Sequence, residues 1–312
     1  MQSEIVLVDD GSTVPAAETL NATLGDARVL RTTNRGLLFA RLTGLANAQG
    51  KYVLFLDSDD LVSESKLLAQ FETMERDALD ISYTNAAKAT LDRGIEDLEL
   101  LDEVPYLSVN DPAEFCFHVQ PAPHSPMFRR AFLTRAVESA LFPPLSQYNP
   151  VAELWFYYVC AHMPGRVQKV ERSRAVIGVH GDSRITNHWE TLGLGSLAVM
   201  EDYLTSIAKL PNSKRLTQML SEVAFRSWRR LPRDFHRVFV DRMLAIASAA
   251  KNLDSSRSGG PLFQILAGLF GDRRSAEWLK SLRGHSYDSC RTMTDDEWER
   301  LLHKFNTRHV NH

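Results

Sequence analysis

Asp57, Asp59 and Asp60 put three carboxylates within four positions, directly after the apolar run 52–56. Like charges about 4 Å apart repel by about 4 kcal/mol at an effective dielectric near 20. Such a group requires a compensating cation or shifted pKa values. Hard oxygen ligands gathered in this way suit Mg2+ or Mn2+, with phosphate as the missing partner. The other reading of the same residues is a solvated turn and an N-cap for a helix starting near Ser63. A second acidic pair, Asp9 and Asp10, follows the β-branched run 5–8 and enters a Gly11-Ser12 turn.

These carboxylates need strands behind them. Residues 5–8 and 52–56 read as short strands buried on both faces, and in an open α/β sheet ligands gather at strand carboxyl ends. A helix is expected from Val14 to about Leu24, with Pro15 in its first turn, and a strand at 28–31. Leu37, Leu38, Arg41, Leu45 and Ala48 recur at helical spacing before a C-capping Gly50. Arg41 then sits near a helix start, where it meets an anion or forms a surface salt bridge. A helix at 65–76 and a strand at 80–85 extend a β-α-β-α-β order, which predicts a mainly parallel sheet flanked by helices. Beyond it come a short helix at 112–119, a strand-to-helix pattern at 127–132, a helix carrying Glu153, Trp155 and Phe156, and a strand at 175–179 ending at His180.

The chain of 312 residues carries 44% hydrophobic and 24% charged residues and a net charge of −3. That is ordinary globular composition, and the charge gives no reason to expect nucleic acid as a partner. Three scattered cysteines form neither a disulfide framework nor a zinc pattern, which fits a reducing compartment. No apolar run reaches the length of a membrane span and no leader precedes Ile5. The expected location is cytoplasmic.

Val8-Asp-Asp-Gly-Ser12, Asn34-x-Gly36 with Ala40-Arg41, and Phe55-Leu-Asp-Ser-Asp-Asp60 resemble the inverting bacterial glycosyltransferases of family 2, which have the GT-A fold. Phe128-Arg-Arg-Ala-Phe132 and Phe142-Pro143 are similar to that family's acceptor-side segment. Glu153-Leu-Trp-Phe156 resembles its acidic-x-x-Phe motif, and His180-Gly-Asp-Ser183 its His-x-x-Ser segment. The resemblance covers roughly residues 3–188. It implies a GT-A-like domain at 1–190; the residues beyond it read as a helical extension at 191–254 and a C-terminal helical segment at 261–312 after a Ser/Gly linker. It further implies Asp10 and Arg41 gripping the nucleobase of a nucleotide-sugar donor, with Asp9 beside them. Asp57 and Asp59 then meet the ribose and the metal, and Asp60 is a second metal candidate. Glu153 matches the general base, and His180 a ligand to metal or diphosphate. The expected activity is metal-dependent inverting transfer from a nucleotide sugar, UDP-linked in the simplest case, to a glycan or lipid-linked acceptor in bacterial surface-polysaccharide synthesis. The alternative is a catalytically inactive relative acting as a binding or scaffold protein.

Three features depart from the family pattern. The family places a strand and a turn before the strand matching 5–8. Without them two neighbouring strands should show bare edges, and a misplaced start, a substitute segment or a decayed relative would each account for this. Glu153 stands where the family has Asp, one methylene longer, and reads otherwise as an exposed helix carboxylate. Gly178 replaces an Arg, and His180 reads otherwise as a simple strand-end histidine. A sugar-phosphate nucleotidyltransferase is disfavoured, because no Gly-rich basic loop follows the first strand.

After Trp189 no catalytic motif is recognised. Amphipathic helices are expected at 192–210, 213–228 and 234–251, an apolar stretch at 262–270, and a final helix capped by Thr294-Asp-Asp-Glu297. Arg226, Arg229, Arg230, Arg233 and Arg237 are spaced for one basic helical face, interrupted by Pro232. That face rests on anionic lipid at the inner membrane surface or is simply solvated. The tail helices are read as a homodimer contact or as a cap over the acceptor groove.

Overall fold

The computed structural model describes residues 2–20, 25–90, 98–179, 188–251, 253, 259–283 and 285–306. The chain divides into two compact units, Met1–Asp182 and Ser183–His312. His180, the Gly181-Asp182-Ser183 that follows it, and most of the Ser/Gly linker lie outside the described residues.

The first unit begins with β1 (Val6–Asp9), α1 (Ala16–Thr19), β2 (Arg28–Arg31), α2 (Leu37–Asn47) and β3 (Tyr52–Val53). Then come β4 (Leu61–Val62), α3 (Lys66–Arg76), β5 (Ile81–Thr90), β6 (Glu99–Val104) and α4 (Pro112–Glu114). The chain continues through β7 (Met127–Arg129), α5 (Arg130–Glu138), α6 (Ala152–Ala161) and β8 (Val167–Val179). The α/β class holds, but the pairing is mixed rather than mainly parallel. β1–β2 and β5–β8 are parallel, whereas β3–β7, β7–β5, β5–β6 and β4–β8 are antiparallel. The local βαβ pattern up to β3 reveals nothing of β7 and β6, which return beside β5 from distant sequence.

The strands form two sheets that share no ladder among the described residues: β1–β2 alone, and the remaining six. β1 and β3 therefore each have a strand partner on one side only. This corrects the reading of 5–8 and 52–56 as fully buried strands. The second run forms only two ladder residues, and of its five residues only Val53 is buried. Ile5 and Leu56 are each more than half exposed.

The core of the unit lies against β5, which is buried along most of its length, and around α6. Trp155 through Ala161 are all buried, as expected of a helix apolar on every face. α3 instead turns a polar face inward: Lys66, Gln70 and Thr73 are buried with Met74. Lys66 Nζ donates to Gln70 Oε1 at 2.5 Å, and Gln70 Nε2 donates to Ser82 and to the carbonyl of Ser125. Among the described residues Lys66 has no carboxylate partner, and burial lowers its pKa to about 7.

The second unit is helical: α7 (Trp189–Ser206), α8 (Ser213–Arg230), α9 (Arg237–Ala247), α10 (Pro261–Phe270), α11 (Asp272–Arg283) and α12 (Asp295–Asn306). Phe235, His236, Tyr287 and Trp298 form an aromatic centre, with His236 stacked on Trp298 at 4.0 Å. The capping box forms: Thr294 N donates to Glu297 Oε2 and Glu297 N donates to Thr294 Oγ1. The single basic face does not, because α8 stops at Arg230 before Pro232 and α9 starts at Arg237. Arg229 lies 3.8 Å over the Phe263 ring, Arg233 reaches the Ser281 carbonyl, and Arg237 pairs with Asp241.

Candidate functional site

The acidic pair at the end of β1 is divided by the alternation of a strand. Asp9 points inward, is 4% exposed, and accepts from the backbone N–H groups of Ser12 and Ala16 at 2.8 Å and 3.0 Å. Those donors, reinforced by Arg31 at 3.3 Å, hold its pKa down to about 2. Asp9 thus shapes the turn and the start of α1. Asp10 reaches the other way, accepting from the N–H groups of Arg35 and Gly36 and from Thr32 Oγ1.

Gly36 is where that loop becomes α2. Its φ of +92° favours glycine, and an added Cβ would meet the Asn149 amide at 2.1 Å. Asn149 uses this closeness: Oδ1 accepts from Leu38 N and Nδ2 donates to the Arg35 carbonyl. The two side chains together satisfy open N–H groups at the start of α2. An open hollow of about 470 Å³ adjoins them, bounded by Arg35 and Phe39 on one side and Pro144 and Leu145 on the other. The Asn34-x-Gly36 loop and the residues that follow Phe142-Pro143 therefore face one another.

One turn into α2 the buried Arg41 extends toward the acidic cluster. Its Nη2 lies 2.8 Å and 2.9 Å from the two oxygens of Asp57, and Nη1 lies 3.5 Å from Glu153 Oε2. Its guanidinium carbon stands 5.9 Å from the Phe55 ring centre. Phe55 packs at 5.0 Å on Phe156, the aromatic of the acidic motif, which ties α6 to the segment bearing Asp57. Arg41 makes no hydrogen bond or ion pair with Asp10; with its two carboxylate partners it forms an Asp57–Arg41–Glu153 triad.

Glu153 occupies the first turn of α6, with a third of its side chain exposed. Burial raises its pKa, and the neighbouring Arg41 acts against that rise. A narrow crevice beside it is walled by Phe55, Pro123, Pro126 and Tyr157.

Asp59 is half-buried. Asp60 turns inward: Oδ1 accepts from Gly178 N at 3.0 Å, and Oδ2 lies 2.9 Å from Nδ1 of the fully buried His124. Among the described residues no three His, Cys, Asp or Glu side chains gather into a metal-binding group. With Asp57 engaged by Arg41 and Asp60 by Gly178 and His124, an ion here would have to be held by one or two carboxylates and completed by phosphate oxygens of a substrate, as Mg2+ commonly is.

His124, Asn149 and Lys66 are the residues that sequence reasoning missed. The Lys66/Gln70 spacing of four was legible as a helical pair. No local signal marks His124, set among Pro121, Pro123 and Pro126, as the partner of an aspartate over 60 positions earlier.

Residues 1–134 match the model of glycosyl transferase family 2. An uncharacterized glycosyltransferase of Haemophilus influenzae is 40% identical over 93 residues, 28% of this chain and 37% of that protein. The Escherichia coli enzyme WfaP, named a UDP-Glc:alpha-D-GlcNAc-diphosphoundecaprenol beta-1,3-glucosyltransferase, is 35% identical over 85 residues, 26% of this chain and 34% of WfaP. The chain thus spans little more than a third of either relative. Among solved structures, residues 1–349 of Staphylococcus aureus TarS in complex with UDP align with a TM-score of 0.59 at 15% identity. That alignment covers 89% of this chain and 81% of the TarS chain. The chain has the GT-A fold followed by a helical region, and its N-terminal part is like glycosyltransferase family 2.

Proposed function

We propose that the protein transfers a sugar from a nucleotide-sugar donor, UDP-linked in the simplest case, to a hydroxyl of a glycan or lipid-linked acceptor in bacterial surface-polysaccharide synthesis. The observation that carries this reading is the Asp57–Arg41–Glu153 triad. One guanidinium ties the carboxylate assigned to the donor to the carboxylate assigned to the acceptor. The UDP complex of the TarS neighbour and the UDP-glucose substrate in the WfaP name support a UDP-linked donor. Cytoplasmic placement, peripheral to the inner face of the membrane, belongs to the same proposal.

In this reading Glu153 accepts the acceptor's hydroxyl proton as that oxygen forms its bond to the anomeric carbon. The bond from that carbon to the diphosphate oxygen breaks on the opposite face, its electron pair leaves with the nucleotide, and the anomeric centre inverts. Burial makes Glu153 a better proton acceptor than a free carboxylate, while Arg41 keeps enough of it ionised. Asp57, held by Arg41, accepts from the ribose, and Asp10 fixes the loop against which the nucleoside rests. Asp59 would hold Mn2+ or Mg2+ together with the diphosphate oxygens, and a bound ion there would neutralise the leaving group.

Calorimetric titration of UDP with Mn2+, repeated with EDTA, tests the donor half, and transfer followed by the anomeric configuration of the product tests the chemistry. Metal-dependent binding and an inverted product are expected. Binding without transfer to any acceptor favours the inactive scaffold. No nucleotide binding in either condition removes the donor assignment.

A further inference from the structure

α10 (PLFQILAGLF) has no charged side chain, yet only Phe263 of its ten residues is buried. Leu262, Ile265 and Leu269 recur at spacings of three and four, so they share one side of the helix. They are 45–69% exposed, with Phe270 similarly open beside them. The chain then reverses at Gly271, whose φ of +83° favours glycine, directly into α11. On α11, Arg274, Trp278 and Leu282 recur at intervals of four, and Trp278 and Leu282 are both more than half exposed. Arg274 is exposed and makes no ion pair among the described residues. Single exposed leucines need no explanation, but a contiguous set on one helical hairpin marks a surface that meets a partner.

We propose that the α10–α11 hairpin docks on an anionic lipid surface, burying Leu262, Ile265, Leu269 and Trp278 among the headgroups. Charge decides between lipid and a second copy of the chain. Residues 183–312 contain 20 Lys and Arg against 14 Asp and Glu, whereas the whole chain is net acidic. Arg273 and Arg274 on α11 and Arg230 at the end of α8 are exposed, Arg273 pairing with Glu277, whereas Arg229 and Lys280 pack inward on Phe263 and Trp228. A two-fold contact would set the exposed arginines against their own copies, whereas anionic headgroups complement them. An arginine one turn from an exposed tryptophan also fits the bilayer interface, where the guanidinium reaches phosphates while its stem and the indole sit deeper. The hairpin replaces the dispersed arginines at 226–237 as the lipid-facing element, and it stands independently of the transfer reaction.

The test is co-sedimentation of the full chain with vesicles of phosphatidylcholine alone or mixed with phosphatidylglycerol, alongside sedimentation velocity without lipid. The expected result is pelleting with the mixed vesicles, weakened by added salt. The double variant Ile265→Asp/Leu269→Asp should cut partitioning by at least about tenfold. Both positions are open to solvent, so this variant keeps the fold. No pelleting with mixed vesicles overturns the proposal, as does equal pelleting of the double variant. A lipid-free dimer that the double variant dissolves, without vesicle binding, assigns the face to self-association and also overturns it.

Discussion

Arg41 grips Asp57 through a single nitrogen, Nη2, which lies within 2.9 Å of both carboxylate oxygens. That leaves Nη1 directed at Glu153, so one buried cation serves two acids that reach it from different parts of the chain.

Replacing Arg41 with Met should change the pH dependence of transfer. Glu153 acts ionised, and burial already raises its pKa, so the rate falls as pH drops through that value. Removing Arg41 removes the neighbour that counters the rise, and the acid limb of the kcat profile moves to higher pH. Stability should fall by about 2 kcal/mol, less than for a fully buried pair because Asp57 and Glu153 keep roughly a third of their exposure. A pH–rate profile and urea unfolding check both parts.

Glu153→Gln should lower transfer by about 10²–10⁴-fold, the usual contribution of a positioned general base. UDP affinity should stay within about twofold of the parent, since the amide keeps the shape and only the proton acceptor is lost. Single-turnover transfer beside UDP calorimetry separates the two, and a fully active variant removes Glu153 from the mechanism.

Asp59 and Asp60 should respond differently to alanine. Asp59→Ala is expected to abolish Mn2+-dependent UDP binding. Asp60→Ala strips the buried His124 of its facing carboxylate and should cost about 1–3 kcal/mol of stability. Calorimetry and thermal unfolding on both variants give the comparison, and unchanged nucleotide binding by Asp59→Ala excludes it from the metal site.

Lys66→Met should stabilise the protein at low pH. The Lys66 pKa falls from 10.5 to about 7 on folding. Between those values the unfolded chain binds the extra proton, so stability rises with pH across that window, and below about 7 the full penalty for burying the charge applies. Methionine removes the penalty and leaves Gln70 Oε1 without its donor, at about 1 kcal/mol. Urea midpoints should favour the variant most at pH 6 and least at pH 10; a variant less stable than the parent at pH 6 would show that Lys66 is stabilised by its surroundings.

Elements that carry the candidate residues were legible where the signal is local: the helical spacing around Arg41 and the Glu153-Leu-Trp-Phe156 pattern each announced a helix. The apolar run before Asp57 promised a longer strand than the two residues Tyr52–Val53 that form. Partners were not legible in the same way. That Arg41 faces Glu153 depends on α6 packing through Phe156 onto Phe55, a contact between residues about 100 positions apart. The antiparallel β7 beside β5, and His124 behind Asp60, are likewise long-range outcomes that no local period encodes. α11 went unseen because the flanking glycines and the exposed Trp278 and Leu282 break the usual pattern of an apolar inner face.

The gap between the two sheets has a consequence for how the molecule breathes. Among the described residues no ladder carries β1 and β2 into the larger sheet, and side chains hold that flank: Glu4 on the N–H groups of Gln49 and Gly50, Asn149 on the start of α2, and Arg41 on Asp57 and Glu153. Backbone amides of β1 and β2 should then exchange with deuterium as a separate cooperative group, opening at lower free energy than those of β5 and β8. A nucleotide spanning Asp10 and Asp57 would stitch the two groups together, so its binding should appear first as slowed exchange on that flank. Part of its affinity would be spent on quieting that motion.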